Sequence, residues 1–161
     1  MLLTRHSRVT SDLCNLEKAQ RYCAKTIQGM PQQTHVPVPA ATLGWPSVEA
    51  VLDIAKMVFL YRWLTLSTSC IYRKMAFARL VSFIYGDDVG RGGPLYGAFV
   101  TFRKYGAEHL IIDMLTSGKC LSLKGFKKWA REHVLEVELT RWRSTRVVPI
   151  PIIVQSLFCK Y

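Results

Sequence analysis

The feature that most constrains the fold of this chain is a run of residues that is apolar on nearly every side. It begins at Ser47, whose hydroxyl can cap a helix, and continues in helical register to Leu66, where a Ser-Thr-Ser break follows. A helix that is apolar nearly all round is normally buried at the centre of a protein, so we predict a central core helix here. Its polar surface is a narrow strip: Glu49, Asp53 and Lys56.

The same run is too charged for a membrane span. Four charged residues interrupt the segment between Val48 and Leu66, and each is costly in lipid. We therefore favour the core helix and expect Phe59 and Trp63 to pack inside the domain. The four charges are Glu49, Asp53, Lys56 and Arg62.

Composition supports one domain with a positively charged surface. The 161 residues are 50% hydrophobic, which is enough for a real core, and 22 basic against 11 acidic residues give a net charge of +11. That balance favours phosphate backbones or other anionic surfaces as partners. The five cysteines form no CxxC pair, so neither a disulfide framework nor a zinc site is indicated. With no signal peptide in Met1–Thr10, we expect an intracellular protein, nuclear or cytoplasmic.

Helix start and stop signals predict an all-α fold of about six helices around the central one. We expect an N-terminal lead over residues 1–10, a helical domain over 11–146 with a proline-rich linker at 30–44, and an extended apolar tail over 147–161. The predicted helices are Ser11–Gln28 capped by Ser11, Ser47–Leu66, Cys70–Tyr85 capped by Ser69, Pro94–Gly106, Ala107–Gly118, and Ser122–Arg143.

The last predicted helix carries the clearest functional pattern. Its cations recur at i, i+3, i+4 and i+7, so they line one side, while Leu123, Phe126, Ala130, Val134 and Val137 form another. An anion docking there would relieve the repulsion within this row. The alternative is a solvated face with Trp142 packed in the core. The candidate nucleic-acid-binding residues are Lys124, Lys127, Lys128, Arg131 and Trp142, with Arg73, Lys74 and Arg79 on the third helix.

The sequence FIYGDDV at residues 83–89 matches the Tyr-x-Asp-Asp metal-binding turn of polymerases that copy RNA. That chemistry needs a hairpin and a third aspartate on another strand, so that two metals flank the phosphoryl transfer. Here the loop residues GRGGP follow at once, and the preceding residues fit a helix end. We therefore favour a surface loop over a metal site at Asp87 and Asp88.

Other chemistry is weakly indicated. Cys120 and His109 fit packed or surface residues better than a nucleophile with its base. The GRGG sequence lacks a preceding strand and a following Lys-Ser/Thr, so it fits a loop better than a phosphate site. We expect no cofactor, no metal and no small-molecule substrate.

Three stretches resemble the region after the polymerase domain in endonuclease/reverse transcriptase proteins of non-LTR retrotransposons of invertebrates. Leu16–Thr34 is similar to the helix that ends the polymerase and enters its thumb, and Leu43–Leu66 is similar to the helix that follows. Lys104–Arg146 is similar to a later segment in which a helix, a Gly turn and a Trp-containing basic helix recur.

This resemblance implies a thumb-and-connector piece that holds a template/primer duplex while chemistry happens elsewhere. It places the family's catalytic aspartates upstream, so the GDD here is coincidental. The apolar tail at 147–161 departs from the polar pattern of the family. We expect a non-catalytic chain that binds RNA or DNA weakly and without sequence preference, and we expect no membrane partner. The alternatives are a protein-interaction module, a non-functional retroelement remnant, and a minimal polymerase.

Overall fold

A computed structural model of the chain describes residues 3–34, 40, 43–86, 92–118 and 120–144. This part of the chain contains six α-helices and no β-strand, which confirms the predicted all-α class. In chain order the helices are α1 (Leu3–Gln28), α2 (Val48–Leu64), α3 (Ile71–Tyr85), α4 (Gly93–Lys104), α5 (Glu108–Ser117) and α6 (Leu123–Ser144).

Several predicted helix ends agree with local chemistry. The N–H of Ala50 donates to Ser47 Oγ over 3.0 Å, and the N–H of Gly125 donates to Ser122 Oγ over 3.1 Å. Both serines therefore cap their helices, and the cap at Ser47 was predicted. Gly118 ends α5 in the left-handed conformation, with φ at 64°. A residue with a Cβ is strained there, so the glycine stop was correctly predicted.

Two predicted helix starts are wrong. α1 begins at Leu3 rather than at Ser11, so Ser11 lies inside the helix and most of the predicted lead is helical. Neither Gly nor Pro occurs between Leu3 and Ser11 to stop the helix from extending. The residue that precedes α3 is Cys70, with no side-chain cap, because the Oγ of Ser69 is hydrogen-bonded to the Oγ of Ser67 over 2.9 Å.

The predicted apolar tail, residues 147–161, lies outside the described residues, as does much of the predicted linker. Within that linker, the N–H of Thr34 donates to the carbonyl of Pro31 over 3.0 Å, which forms a turn just after α1. None of the helices within the described residues is long and apolar enough to cross a membrane.

The chain divides into two compact units. The first comprises residues 1–51 with 135–161, and the second comprises residues 52–134. The divisions fall within α2 and α6, so each of these helices contributes residues to both units.

In the first unit, side chains of α1 bind the backbone at the start of α2. Gln20 Nε2 donates to the carbonyl of Pro46 over 2.8 Å, and the N–H of Glu49 donates to Glu17 Oε1 over 3.2 Å. Glu49 lies in the first turn of α2, where backbone N–H groups have no partner within the helix. The carboxylate of Glu17 thus supplies an acceptor that the helix itself lacks.

The cap residue Ser47 also binds a buried carboxylate. Its hydroxyl accepts from the N–H of Ala50 and donates to Glu138 Oε2 over 3.0 Å. Glu138 is buried on α6, and a carboxylate is stable in such a place only when its oxygens are hydrogen-bonded. One hydroxyl therefore caps the start of α2 and also donates to a buried carboxylate of α6 within the same unit.

In the second unit, aromatic stacking dominates the core. The ring of Phe126 on α6 lies parallel to Tyr61 on α2, with centroids 3.8 Å apart, and is also stacked on Phe102 of α4 at 6.0 Å. The hydroxyl of Tyr61 donates to the carbonyl of Leu121 over 2.6 Å, so the buried phenol keeps a hydrogen bond. Other fully buried side chains are Met57, Leu60, Leu64, Leu80, Ile111 and Val134.

The predicted all-round burial of α2 is corrected by the structure. One face is buried, whereas Val51 and Leu52 on the other are 50% and 44% exposed. Phe59 and Trp63, which were expected inside, are only half-buried, with ring centroids 5.5 Å apart. A domain of this size has too little material to cover every side of a helix. The buried face consists of Ala50, Asp53, Met57, Leu60, Tyr61 and Leu64.

This difference in burial gives a stability prediction. Phe126→Ala should lower the free energy of unfolding by about 3–5 kcal/mol, because it leaves a cavity between two stacked rings. Phe59→Ala should cost only about 1–2 kcal/mol, since part of that ring already contacts water. Urea unfolding followed by circular dichroism would measure both. Equal losses would show that α2 buries the face on which Phe59 lies.

Candidate nucleic-acid interface

Four cations of α6 lie in a row on the solvent-exposed side of the helix. All four side chains are exposed, as the sequence predicted, while Phe126, Ala130 and Val134 on the other side are fully buried. The buried residues fix the rotation of α6 in the second unit, so the cations face outward. We call this row the α6 stripe: Lys124, Lys127, Lys128 and Arg131.

The α6 stripe has little internal charge compensation. Lys128 Nζ lies 3.9 Å from Glu132 Oε1, and both side chains are largely exposed, so water and salt weaken this pair. Within the described part of the chain, Lys124, Lys127 and Arg131 form no ion pair. The first turn of α6 holds no acidic residue, and the positive end of the helix dipole lies there. Charge and dipole therefore both favour an anion at this end.

The cations of α3 are arranged differently. Arg73 Nη1 donates to the carbonyl of Leu66 over 3.0 Å, and its guanidinium lies 5.2 Å from the ring centroid of Phe77, so it is engaged within the protein. Lys74 and Arg79 are exposed, but they lie five residues apart, so their directions around the helix axis differ by about 140°. The three predicted contacts on α3 thus do not form one row.

Several other predicted residues cannot be placed at a site. Asp87 and Asp88 lie outside the described residues, and the structure describes the backbone of Trp142 within α6 but not its side chain. His109 Nδ1 lies 3.2 Å from the carbonyl of Gly106, and the thiol of Cys120 donates to the nearby Gly118 carbonyl over 3.7 Å. No group of three or more metal-binding side chains occurs among residues that the structure describes.

A buried ionic cluster at Asp53 was missed by sequence reasoning. Asp53 is only 2% exposed, and its Oδ1 accepts from Lys56 Nζ over 2.8 Å. Its Oδ2 accepts from Lys104 Nζ over 2.6 Å and from the hydroxyl of Tyr105 over 3.1 Å. Lys56, three residues on, could have indicated a pair, but Lys104 and Tyr105 are too distant in sequence to give a signal. The cluster joins α2 to the end of α4.

The same place also anchors α6. His133 Nε2 lies 2.8 Å from the carbonyl of Tyr105, and its ring is stacked on Trp129 with centroids 4.9 Å apart. A neutral imidazole with its proton on Nε2 can donate to that carbonyl. Asp53 on α2, Tyr105 after α4 and His133 on α6 therefore form one connected network. It holds the helix that carries the α6 stripe.

The charge state of this network follows from its geometry. Burial alone would raise the pKa of Asp53, but hydrogen bonds from Lys104 and Lys56 outweigh it and hold the pKa below its ordinary value of 3.8. Burial and the nearby negative charge of Asp53 raise the pKa of Tyr105 to about 12. At neutral pH, Asp53 is thus ionised and Tyr105 is a hydrogen-bond donor.

Comparison with known proteins gave no relative: no family model, curated protein or solved structure matches the chain. The function must therefore be inferred from the geometry and charge described above.

The Asp53 cluster gives a prediction with a defined pH dependence. Asp53→Asn should cost about 1–3 kcal/mol at pH 7, because two lysines lose their anionic partner. The folded-state pKa of Asp53 is lowered, so its contribution is complete above its unfolded pKa and is lost as pH falls through the folded value. The difference between parent and variant in urea unfolding should therefore shrink below about pH 4.

The matched control is Asp113→Asn, because Asp113 is an exposed aspartate on α5 of the same unit. It should change the free energy of unfolding by no more than about 0.5 kcal/mol. A stability difference for Asp53→Asn that stayed constant from pH 7 to pH 2 would show that the carboxylate charge contributes nothing there.

Proposed function

We propose that this chain is a non-catalytic, helical nucleic-acid-binding domain that contacts the phosphate backbone through the α6 stripe. The observation that carries the proposal is the row of four exposed cations on a helix whose other face is fixed in the core. A row of cations with weak internal compensation gains free energy when counterions are released from a polyanion.

The dimensions of the α6 stripe suit a phosphate backbone. From Lys124 to Arg131 the helix rises about 10 Å, which corresponds to about three nucleotides along one strand of a duplex. The start of α6 adds the positive end of its dipole and the backbone N–H groups of its first turn. These groups recognise phosphate and carry no information about bases. Binding through this surface alone would be independent of sequence.

The expected ligand is a duplex of RNA, DNA or both. The similarity of the sequence to the thumb-and-connector region of non-LTR retrotransposon reverse transcriptases supports a template/primer duplex. The net charge of +11 supports association with any polyanion.

Charge reversal on α6 tests the proposal. Lys124→Glu with Lys127→Glu removes two exposed cations without touching the buried face, so stability should change little. Duplex affinity, measured by fluorescence anisotropy at several salt concentrations, should fall sharply. The slope of log K against log salt should decrease in magnitude by about two, one for each lost phosphate contact.

The control reverses two exposed cations on other helices, Lys18 of α1 and Arg62 of α2. Lys18→Glu with Arg62→Glu changes the net charge by the same amount, so it separates general attraction from contact. It should leave the salt slope nearly unchanged. If both pairs reduced affinity equally, binding would depend on net charge alone, and the α6 stripe would not be an interface.

The proposed lack of catalysis is supported by the state of the other aspartates of the chain. A polymerase site at Asp87 and Asp88 would need a third carboxylate, and Asp53 has both oxygens occupied by lysine and tyrosine partners. Asp12 and Asp113 lie exposed on α1 and α5.

We expect the purified chain to extend no primer on an RNA template with nucleotides and magnesium. Asp87→Ala supplies the control, since it removes one proposed metal ligand. If the parent chain extended the primer and Asp87→Ala abolished that extension, a polymerase site would be established and the proposal contradicted.

A second candidate function, protein interaction, is favoured by one observation. Large apolar side chains of α3 are exposed, which is unusual for a helix surface that meets only water. Salt separates the two functions, because phosphate binding weakens steeply with salt whereas apolar docking does not.

A further inference from the structure

Helix α3 has an apolar outer face in addition to its core face. Ala76 and Leu80 are fully buried, and the residues on the opposite side of the helix are mostly apolar and exposed. Ile71, Met75 and Tyr85 are 61%, 54% and 82% exposed. We call this row the outer α3 seam: Ile71, Met75, Ala78, Ser82 and Tyr85.

The spacing of the outer α3 seam is that of a coiled coil. Its members follow one another at intervals of four, three, four and three residues, which is the a/d pattern of two heptads. Two small residues, Ala78 and Ser82, occupy neighbouring places in the row, where they allow another helix to approach closely.

The flanks of the seam are cationic. Lys74 and Arg79, both exposed, occupy the positions next to the seam that correspond to g and e of a heptad. No aspartate or glutamate occurs anywhere between Asp53 and Gly86 in the sequence. A helix that pairs with the seam would therefore meet one cation at each edge, beside the exposed Val81 on one side and the exposed Tyr72 on the other.

We propose that the outer α3 seam docks an amphipathic helix of another protein that carries acidic residues beside its apolar row. Large apolar side chains of the partner would fill the space above Ala78 and Ser82, and its carboxylates would pair with Lys74 and Arg79. This surface and its ligand are separate from the α6 stripe, so the inference goes beyond the proposed nucleic-acid function.

Charge argues against a parallel pair with a second copy of this chain. In that arrangement Lys74 of one copy would face Arg79 of the other, and like charges placed together are destabilising.

The shape of the seam also disfavours a lipid surface. A helix that lies in a bilayer interface buries a broad apolar face with large side chains. Here two of the five members of the row are alanine and serine, although Tyr72 and Val81 beside the row are also exposed. Small side chains within the row suit the close approach of a helix better than insertion among acyl chains.

The experiment uses the full chain and designed helical peptides of about three heptads. One peptide has Leu at a and d with Glu at e and g, and a matched peptide has Lys at e and g. We expect calorimetry to show binding of the acidic peptide and none of the basic one. Absence of binding by the acidic peptide would overturn the proposal.

Two pairs of variants test the apolar contact. Ile71→Ser with Met75→Ser should weaken binding of the acidic peptide at least about tenfold, since two anchors of the seam are lost. Val100→Ser with Ile112→Ser removes similarly exposed apolar side chains from α4 and α5, and it should bind as the parent does. Unchanged binding by the Ile71 and Met75 pair would mean that charge alone holds the peptide, which overturns the proposal.

Charge variants test orientation and independence from the α6 stripe. Lys74→Glu with Arg79→Glu should abolish binding of the acidic peptide and create binding of the basic one, an exchange that mere loss of folding cannot produce. Lys124→Glu with Lys127→Glu should leave acidic-peptide binding within about twofold, although it reduces nucleic-acid affinity. Loss of peptide binding in the α6 variant instead would place the contact on α6.

The other occupants of the seam give distinct results. If the parent chain self-associates in analytical ultracentrifugation and Ile71→Ser with Met75→Ser abolishes that association, the occupant is a second copy. If the parent chain co-sediments with phosphatidylserine vesicles but does not bind the acidic peptide, and the same pair of substitutions abolishes co-sedimentation, the occupant is a lipid surface. Either result overturns the proposal.

Discussion

The arrangement of the second unit depends on one buried carboxylate. An ionised aspartate that is 2% exposed is stable only when both of its oxygens accept hydrogen bonds. Two lysines and a tyrosine donate to the oxygens of Asp53. These donors come from its own helix and from the end of α4, and the backbone of Tyr105 in turn accepts from His133 of α6. The apolar core supplies most of the driving force for folding, but apolar contacts have no direction. The hydrogen-bonded network fixes where α2 and α6 meet the end of α4.

Both proposed partners are anionic, yet they would be recognised by different physical effects. The α6 stripe consists of cations only, so its affinity would come from displaced counterions and would decay with salt. The outer α3 seam combines an apolar row with cations at its edges, so charge would select and orient the partner while apolar burial would hold it. A chain of net charge +11 can carry both surfaces because they lie on different helices, and Arg73, which is engaged with Leu66 and Phe77, belongs to neither.

Local chemistry in the sequence was enough to predict the all-α class, the cap at Ser47 and the stop at Gly118. The exposure of the α6 stripe also followed from its spacing, which places it on a different side of the helix from Phe126 and Ala130. The buried face of α2 could not be predicted, because a helix that is apolar on nearly every side has no preferred direction of burial. Asp53 was assigned to a polar strip because Lys104 and Tyr105 reach it only in the folded chain. Ser11 looked like a cap because serine fits both a helix start and a helix interior.

The dependence of Asp53 on the end of α4 also limits how the chain can vary in length. Each residue turns a helix by about 100°, so deletion of one residue within α4 would rotate Lys104 and Tyr105 away from Asp53 together. The carboxylate would lose two of its three donors at once. The carbonyl of Tyr105, which is hydrogen-bonded to His133, would move with them. Point substitutions that keep α4 helical leave this register intact. Natural variants of the chain should therefore differ in the sequence of α4 far more readily than in its number of residues.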